Sequence, residues 1–406
     1  MCAPEFSQDF SAHWDLKNKN PLNHGSFGAT PVEILKRLAK REQDFNRDRE
    51  DFLWHELGPE TIRVRKALAV FVGAAADDLV LVDNITEGFN TVIRSLPLGP
   101  GDEVLITSHV YSPYPAPLRD LAARQGFAVK TAAVPYPPQD EDEIVAALLA
   151  GVTKNTKLAI IEHISSPTAL IFPVKRIVAA LAERGVDCFI DGAHAPGQAP
   201  VDVADIGAAY YSANNHKWLC APVSSGFLHV RADRQDNIAP VIASAPGHRG
   251  APFAERFSWQ GTKDLLPRLL VPETIEYMAG LHPQGWDGIR ARNHALAAAA
   301  RNVMAEALNI KPPHPESMFG SMFTLPLGAL QFDAQTEALE AGKRLSTVLQ
   351  KKAGLRAYAM LFEGQYLLRL SAHLYNRLEH YEALAEVLPA IVAEYAVPDK
   401  KRKNHG

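Results

Sequence analysis

Residues 210–222 read YYSANNHKWLCAP, an apolar run that ends in polar residues and then sets Lys217 against Trp218. Lysine is among the residues least often buried, because its ammonium is costly to desolvate. One reading is a side chain that packs its stem and keeps its charge in water. The other is an amine whose charge is partly suppressed so that it can form a Schiff base. The stretch alone leaves both open, and the segments around it decide between them.

Working outward, the middle of the chain alternates apolar runs with amphipathic stretches. Strands are predicted at 79–83, 103–107, 127–134, 157–163, 187–191, 208–213 and 226–230, with helices at 86–96, 142–151 and 174–185 between them. Continuous apolar strands alternating with helices specify a mainly parallel sheet covered on both faces. Residues 30–75 read as mostly helical, and long helices are predicted at 265–281 and 289–308. After NIKPPHPES (309–317) the pattern changes to strands at 321–327, 358–362 and 366–372, with helices at 334–352 and 377–395. The fold class is therefore α/β: a large domain with a mainly parallel seven-stranded sheet covered by helices on both faces, plus a smaller C-terminal α+β domain. The expected organisation is an N-terminal segment (1–30), a large domain (31–285), a small domain (286–398) and a basic tail (399–406). The Pro-rich 134–142 reads as a loop.

Of the 406 residues, 47% are hydrophobic and 22% charged, and the net charge is −4. That balance points to no nucleic-acid or membrane partner. The start of the chain has no basic region followed by an apolar run, and no apolar stretch reaches membrane-spanning length. Cys2, Cys188 and Cys220 are too scattered for a disulfide framework or a metal motif, so a reducing, cytoplasmic setting is expected.

In an open parallel sheet, ligands sit beyond the carboxyl ends of the strands. The strand at 187–191 ends in Asp191, and its neighbour runs out to His216 and Lys217. The first strand ends in NITEGFN (84–90), where Thr86 sits at the opening of a helix; the second ends in SHVYSPY (108–114), with His109 and Tyr111. Read singly, Asp191 caps a turn, Thr86 caps a helix, and His109 and Tyr111 are core or loop residues. Together they are the parts that pyridoxal 5'-phosphate requires. These are an amine for its aldehyde, a carboxylate to keep the pyridine nitrogen protonated, a helix N-terminus for the phosphate, and a flat side chain over the ring. GxxxxGK[ST], strand-linked GxGxxG and GxSxG motifs are absent, and HELGP (55–59) lacks the second histidine of a zinc helix.

Four stretches, PLNHGSFG (21–28), DGAHAPGQ (191–198), YYSANNHKWLCAP and WQGTKD (259–264), carry a family resemblance, supported by EHISSPTAL (162–170) and RLSAHLYN (369–376). The chain resembles the class V aminotransferase superfamily of pyridoxal-phosphate enzymes, and within it isopenicillin N epimerase-like proteins. The resemblance implies an aspartate-aminotransferase-like fold, with Lys217 as the Schiff-base lysine and Asp191 as the partner of the pyridine nitrogen. It implies that His194 lies near the ring's phenolic oxygen. Ile85 and Thr86 would bind phosphate with His216 nearby, and Arg369 would hold the substrate carboxylate. Asn23 and His24, in PLNHGSFG, are further substrate-site candidates. Thr262 would reach the phosphate of a neighbouring subunit, which implies a homodimer with shared sites. His109 matches the histidine that many relatives stack on the ring, with Tyr111 as the substitute. Asn84 and Ile85 stand where related cysteine desulfurases have glycine and threonine. The thiol those enzymes carry in the C-terminal domain is missing here. The implied activity is removal of the α-proton of an amino acid or aminoacyl compound, with epimerisation first and a C–S lyase, a transaminase or a non-catalytic regulator as alternatives.

Overall fold

Strands β1 (Leu79–Val82), β2 (Glu103–Thr107), β4 (Thr156–Glu162), β5 (Asp187–Asp191), β6 (Tyr210–Asn214) and β7 (Gly226–Val230) are buried almost throughout, without the alternation of a half-solvated sheet. Only β3 (Ala128–Ala132) is largely exposed. Apolar clusters lie on both faces of the sheet, which is why both sides of each central strand are apolar. In this computed structural model, which describes residues 6–17, 21–248, 250–331 and 338–396, the order is β1-β7-β6-β5-β4-β2-β3. All neighbours are parallel except that β7 runs antiparallel to β1 and β6. Exposed β3 is one edge of the sheet, as its polar face requires, and buried β1 is the other.

The helices before and between the strands are α1 (Val32–Arg47), α2 (Leu57–Val72), α3 (Ile85–Ser95), α4 (Pro115–Gln125), α5 (Glu141–Ala150) and α6 (Val174–Ala182). Asn84 caps α3, its side chain accepting from the Glu87 N–H at 3.1 Å. Helix α4 is an addition to the predicted elements: Pro115 opens it, where a missing N–H costs nothing, and Gly126 closes it at φ 89°. The single helix expected at 265–281 is instead a turn at Leu266–Leu269 followed by α7 (Val271–Ala279). Pro267 and Pro272 each begin a new turn, and Leu270 between them leaves helical geometry at ψ 3°. Helix α8 (Gly285–Ala307) leads out of the large sheet.

Beyond it lie β8 (Met322–Gly328), α9 (Ala338–Ala353), β9 (Tyr358–Phe362), β10 (Gln365–Ser371) and α10 (Leu378–Tyr395). The three strands form an antiparallel sheet in the order β8-β10-β9. It has its own core, built by Phe323, Leu368 and Leu370 of the sheet with Leu296 of α8 and Leu384 of α10. Residues 334–337 of the expected helix, Cys2 and the tail at 399–406 lie outside the described residues. Near the N-terminus, Leu22 is completely buried in this second core. Its N–H donates to the Arg356 carbonyl at 3.2 Å and its carbonyl accepts from Ser371 N–H at 2.9 Å. That anchorage delivers residues 23–28 to the cleft between the two sheets. Among the described residues no helix is long and apolar enough to cross a membrane.

Candidate active site

Because β1, β2, β4, β5 and β6 are parallel, their carboxyl ends open at one edge. A cavity of about 230 Å3 lies there, lined by Asn84, Ile85 and Thr86 at the start of α3, Tyr111 after β2, Glu162 on β4, Asp191 on β5, and His216 and Lys217 after β6. It shares Tyr111, Ser166, His194 and Lys217 with a larger cavity of about 650 Å3 that extends past Arg369 to α9.

Lys217 is 9% exposed, and its Nζ lies 3.2 Å from Nε2 of His194. Burial pulls its ammonium down to about 8, with the Asp191 charge opposing and Arg369 assisting. The Trp218 indole N–H donates to Nδ1 of His194 at 3.2 Å. Indole nitrogen is only a donor, so in the neutral ring the proton sits on Nε2 and points at Nζ. Burial first, then the neighbouring charges, hold the His194 pKa well below the usual range. A neutral imidazole aimed this way favours Lys217 as a free amine able to accept. Asp191 is 4% exposed, and its Oδ1 accepts from Ala193 N–H at 2.9 Å. Burial raises its pKa, while the Ala193 hydrogen bond, the Lys217 charge and the nearby Tyr114 hydroxyl lower it.

At the start of α3, the Ile85 N–H is engaged by Oδ1 of Asn214 at 2.9 Å. Ile85 itself lines the cavity, with this N–H already partnered by Asn214. Thr86, exposed at the next position, keeps its hydroxyl and a first-turn N–H that has no acceptor within the helix. His216 donates from Nδ1 to the Ser225 carbonyl at 3.0 Å, which leaves its Nε2 for the cavity.

Arg369 on β10 is 2% exposed and meets only neutral groups. It donates to the Ser166 carbonyl at 2.7 Å, Ser166 Oγ at 2.9 Å, Ser26 Oγ at 2.9 Å and Asn23 Oδ1 at 3.4 Å. Its Nε has no partner, and its guanidinium lies 4.7 Å from the centre of the Tyr358 ring. Burial brings its pKa down to about 10. It is a fixed cation with no carboxylate partner among the described residues.

Three expected residues are not brought to the cavities. His109 is wholly buried, with Nδ1 2.8 Å from Thr168 Oγ1 and Nε2 donating to the Val134 carbonyl at 3.0 Å, its ring edged by Phe172 and Phe362. Tyr111, two residues on, lines both cavities instead. His24 lies behind the lysine rather than in the substrate cavity. Its Nε2 donates to the Lys217 carbonyl at 3.1 Å, its Nδ1 accepts from the Tyr375 hydroxyl at 2.7 Å, and its ring stacks on His373 at 3.9 Å. Thr262 is exposed on a separate groove beside Trp54 and Ile62. Asn23 lines the larger cavity as expected.

Glu162 was missed. It pairs in register with Asp191, its Oε2 accepts from Thr107 Oγ1 at 2.7 Å, and its buried Oε1 has no partner. Burial pushes its pKa up to about 8. The available signal was a carboxylate closing an otherwise apolar strand, LAIIE. Ser166 and Tyr114 gave no comparable signal.

This donor set fits pyridoxal 5'-phosphate. A desolvated amine, a buried carboxylate, a helix N-terminus and an aromatic side chain line one enclosed space, and the orphaned Glu162 Oε1 shows that polar capacity there is unmet. The family model Aminotransferase class-V matches residues 53–384. A putative L-cysteine desulfhydrase 1 of Oryza sativa subsp. japonica is 32% identical, over 94% of this chain and 85% of that protein. The isopenicillin N epimerase of Streptomyces clavuligerus is also 32% identical, over 92% of this chain and 95% of that one. A cystine C–S lyase, C-DES, solved with its product cysteine persulfide, superposes with a TM-score of 0.76 at 19% identity, covering 94% of this chain and 99% of that one. The chain belongs to the class-V aminotransferase family, whose cofactor is pyridoxal phosphate.

Proposed function

We propose that this enzyme removes the α-proton of an amino acid or aminoacyl compound and returns it to the opposite face, as an epimerase. When bound, the cofactor supplies an electron sink that lowers the barrier to breaking a bond at the α-carbon. Lys217, buried and low in pKa, is the group that attaches the cofactor and moves the proton. Asp191 would partner the ring nitrogen of the cofactor, and His194 keeps the lysine amine oriented. Thr86 and His216 would hold its phosphate, and Tyr111 would supply the aromatic side chain beside it. Arg369 grips the α-carboxylate; its guanidinium is held in place by neutral acceptors. We further propose a homodimer in which Thr262 of a second copy reaches the phosphate. The exposed Phe27 and Val223 at the cavity rim support it, since a partner would cover them.

The observation that supports epimerisation over action on free cysteine is the larger cavity, about 650 Å3, which exceeds what that small amino acid needs. Cys188 and Cys220 line neither cavity, which speaks against transfer of sulfur to an enzyme thiol. The desulfhydrase relatives, as similar as the epimerase, favour elimination of a β-thiol as the second reading. Incubation in deuterated water separates them. Deuterium at the α-carbon of both stereoisomers, without pyruvate or ammonia, is the result expected. Stoichiometric pyruvate, ammonia and thiol from S-substituted cysteines, with no inversion of any amino acid, would establish the lyase. Dependence on a keto-acid acceptor would mark a transaminase.

A further inference from the structure

The side chains common to both cavities mark where the two join. Among the described residues these are Ser26, Phe27, Tyr111, Ser166, His194 and Lys217. The join lies between Asp191, which lines only the smaller cavity, and Arg369, which lines only the larger. With the ring nitrogen at Asp191 and the α-carboxylate at Arg369, as proposed above, the α-carbon falls at that join. Few of the shared groups can exchange a proton with carbon there. Phe27 has none to give. Ser26 and Ser166 carry weakly acidic hydroxyls whose oxygens each accept from Arg369 at 2.9 Å. His194 is tied to Lys217 Nζ at 3.2 Å and to the Trp218 indole, so it serves the lysine. Lys217 and Tyr111 remain.

The strand order sets these two apart. Strand β6, which leads to Lys217, and β2, which leads to Tyr111, stand on opposite sides of β5 and β4. Asp191, at the end of β5, lies between them, so a group held by Asp191 meets the lysine from one side and the phenol from the other. Burial raises the Tyr111 pKa above its ordinary value, with Asp191 and Tyr358 adding to the rise and Arg369 opposing it. The phenol therefore keeps its proton where Lys217, at about 8, can be a free amine. One group is ready to take a proton and the other to give one. Inversion at carbon needs a proton removed on one face and delivered on the other. We propose that Tyr111 is the second proton-transfer residue of the epimerisation, acting on the face opposite Lys217. The Cα–H bond breaks and its proton passes to the Lys217 amine; a new Cα–H bond forms with the Tyr111 hydroxyl proton, leaving a phenolate. Lysine has then gained the proton that the phenol has lost, and exchange with water through the larger cavity resets both. From the other enantiomer the roles reverse. The inference rests on the epimerase reading above and names the group that completes it.

The test compares wild-type holoenzyme with Tyr111→Phe, given the L and D forms of the common amino acids in deuterated water. Deuterium at the α-carbon and the stereochemistry of the recovered amino acid are read together. The dissociation constant of the cofactor is measured separately, from quenching of tryptophan fluorescence. Wild type should label and invert both forms of its substrate. Tyr111→Phe should bind the cofactor as tightly, since the ring remains, and lose inversion by about 100-fold or more, the scale of one general acid. It should still label one enantiomer with retention, through Lys217 alone, and leave the other unlabelled. Exchange and inversion that fall in proportion for both enantiomers, or inversion that does not fall, overturns the inference. If Tyr111→Phe binds the cofactor poorly, a fluorinated tyrosine installed at 111 decides. Its more acidic phenol should move the alkaline limb of inversion to lower pH and leave exchange by Lys217 in place, and an unmoved limb overturns the inference. A wild type that inverts no amino acid overturns the epimerase reading itself, before any variant is made.

Discussion

Lys217 and Glu162 are buried ionisable groups of opposite type, and their titrations oppose each other in separate windows. The Glu162 pKa rises on folding from 4.5 to about 8. The folded chain therefore holds that proton more tightly, and its contribution to stability is complete below 4.5 and is lost as pH rises to about 8. The Lys217 pKa falls from 10.5 to about 8, so its contribution grows only as pH climbs from about 8 to 10.5. Apo Glu162→Gln, which is neutral throughout, should not show the wild type's decline in Tm between pH 5 and 8 and should exceed it at pH 8. Parallel Tm profiles for the two proteins would show that Glu162 is ionised throughout. Lys217→Ala should remove the pyridoxyl label that borohydride fixes in the wild type. Peptide mapping of that label to another lysine would displace Lys217 from its role. Asp191→Ala should keep the label and lose most turnover, and normal turnover would make Asp191 a turn residue only.

At the scale of elements, residues 21–28 wedge behind the loop that bears the lysine. Gly28 has φ 70° and ψ −174°, a region open essentially to glycine alone, and a Cβ there would lie 1.9 Å from the His216 carbonyl oxygen. Gly28→Ala should destabilise the protein by more than about 2 kcal/mol in urea unfolding and weaken cofactor retention on dialysis. Unchanged stability and retention would mean the wedge does not brace the loop. The elements themselves were largely legible. Strands β5 and β7 match the expected 187–191 and 226–230 residue for residue, because burial on both faces leaves a short, largely apolar run. Helix α4 was not, since its proline-rich start reads equally as a loop. The break at Leu270 was hidden by an apolar pattern that continues across two prolines. That Lys217 and Asp191 meet at one cavity was legible from strand ends. Which of His109 and Tyr111 faces the cavity was not, because two residues on one loop are separated only by where Thr168 and Val134 arrive from elsewhere in the chain. That His24 sits behind the lysine was not legible for the same reason: its partners Lys217 and Tyr375 are distant in sequence.

At the scale of the whole molecule, Thr262 stands outside its own chain's cofactor cavity, beside exposed Trp54. If sites are shared, Lys217→Ala and Thr262→Ala chains, each inactive or nearly so alone, should regain activity when mixed and allowed to exchange. A mixed dimer then holds one intact site and one doubly altered one. Mixed dimers verified by mass that recover nothing would show that each chain completes its own site.

The Tyr375–His24–Lys217 chain of hydrogen bonds joins residues 351 positions apart, and Ser371 meets Leu22 across a similar span. During synthesis the lysine and His24 emerge early, but Tyr375, which holds His24 from its other side, follows only after the strands of the second sheet. The nascent chain can therefore place Lys217 at its strand end before the brace behind it is complete. Final seating of that loop waits on the small sheet, and a polypeptide cut short before Tyr375 would carry every strand-end residue of the cavity yet lack the hydroxyl that holds His24 against the lysine's backbone.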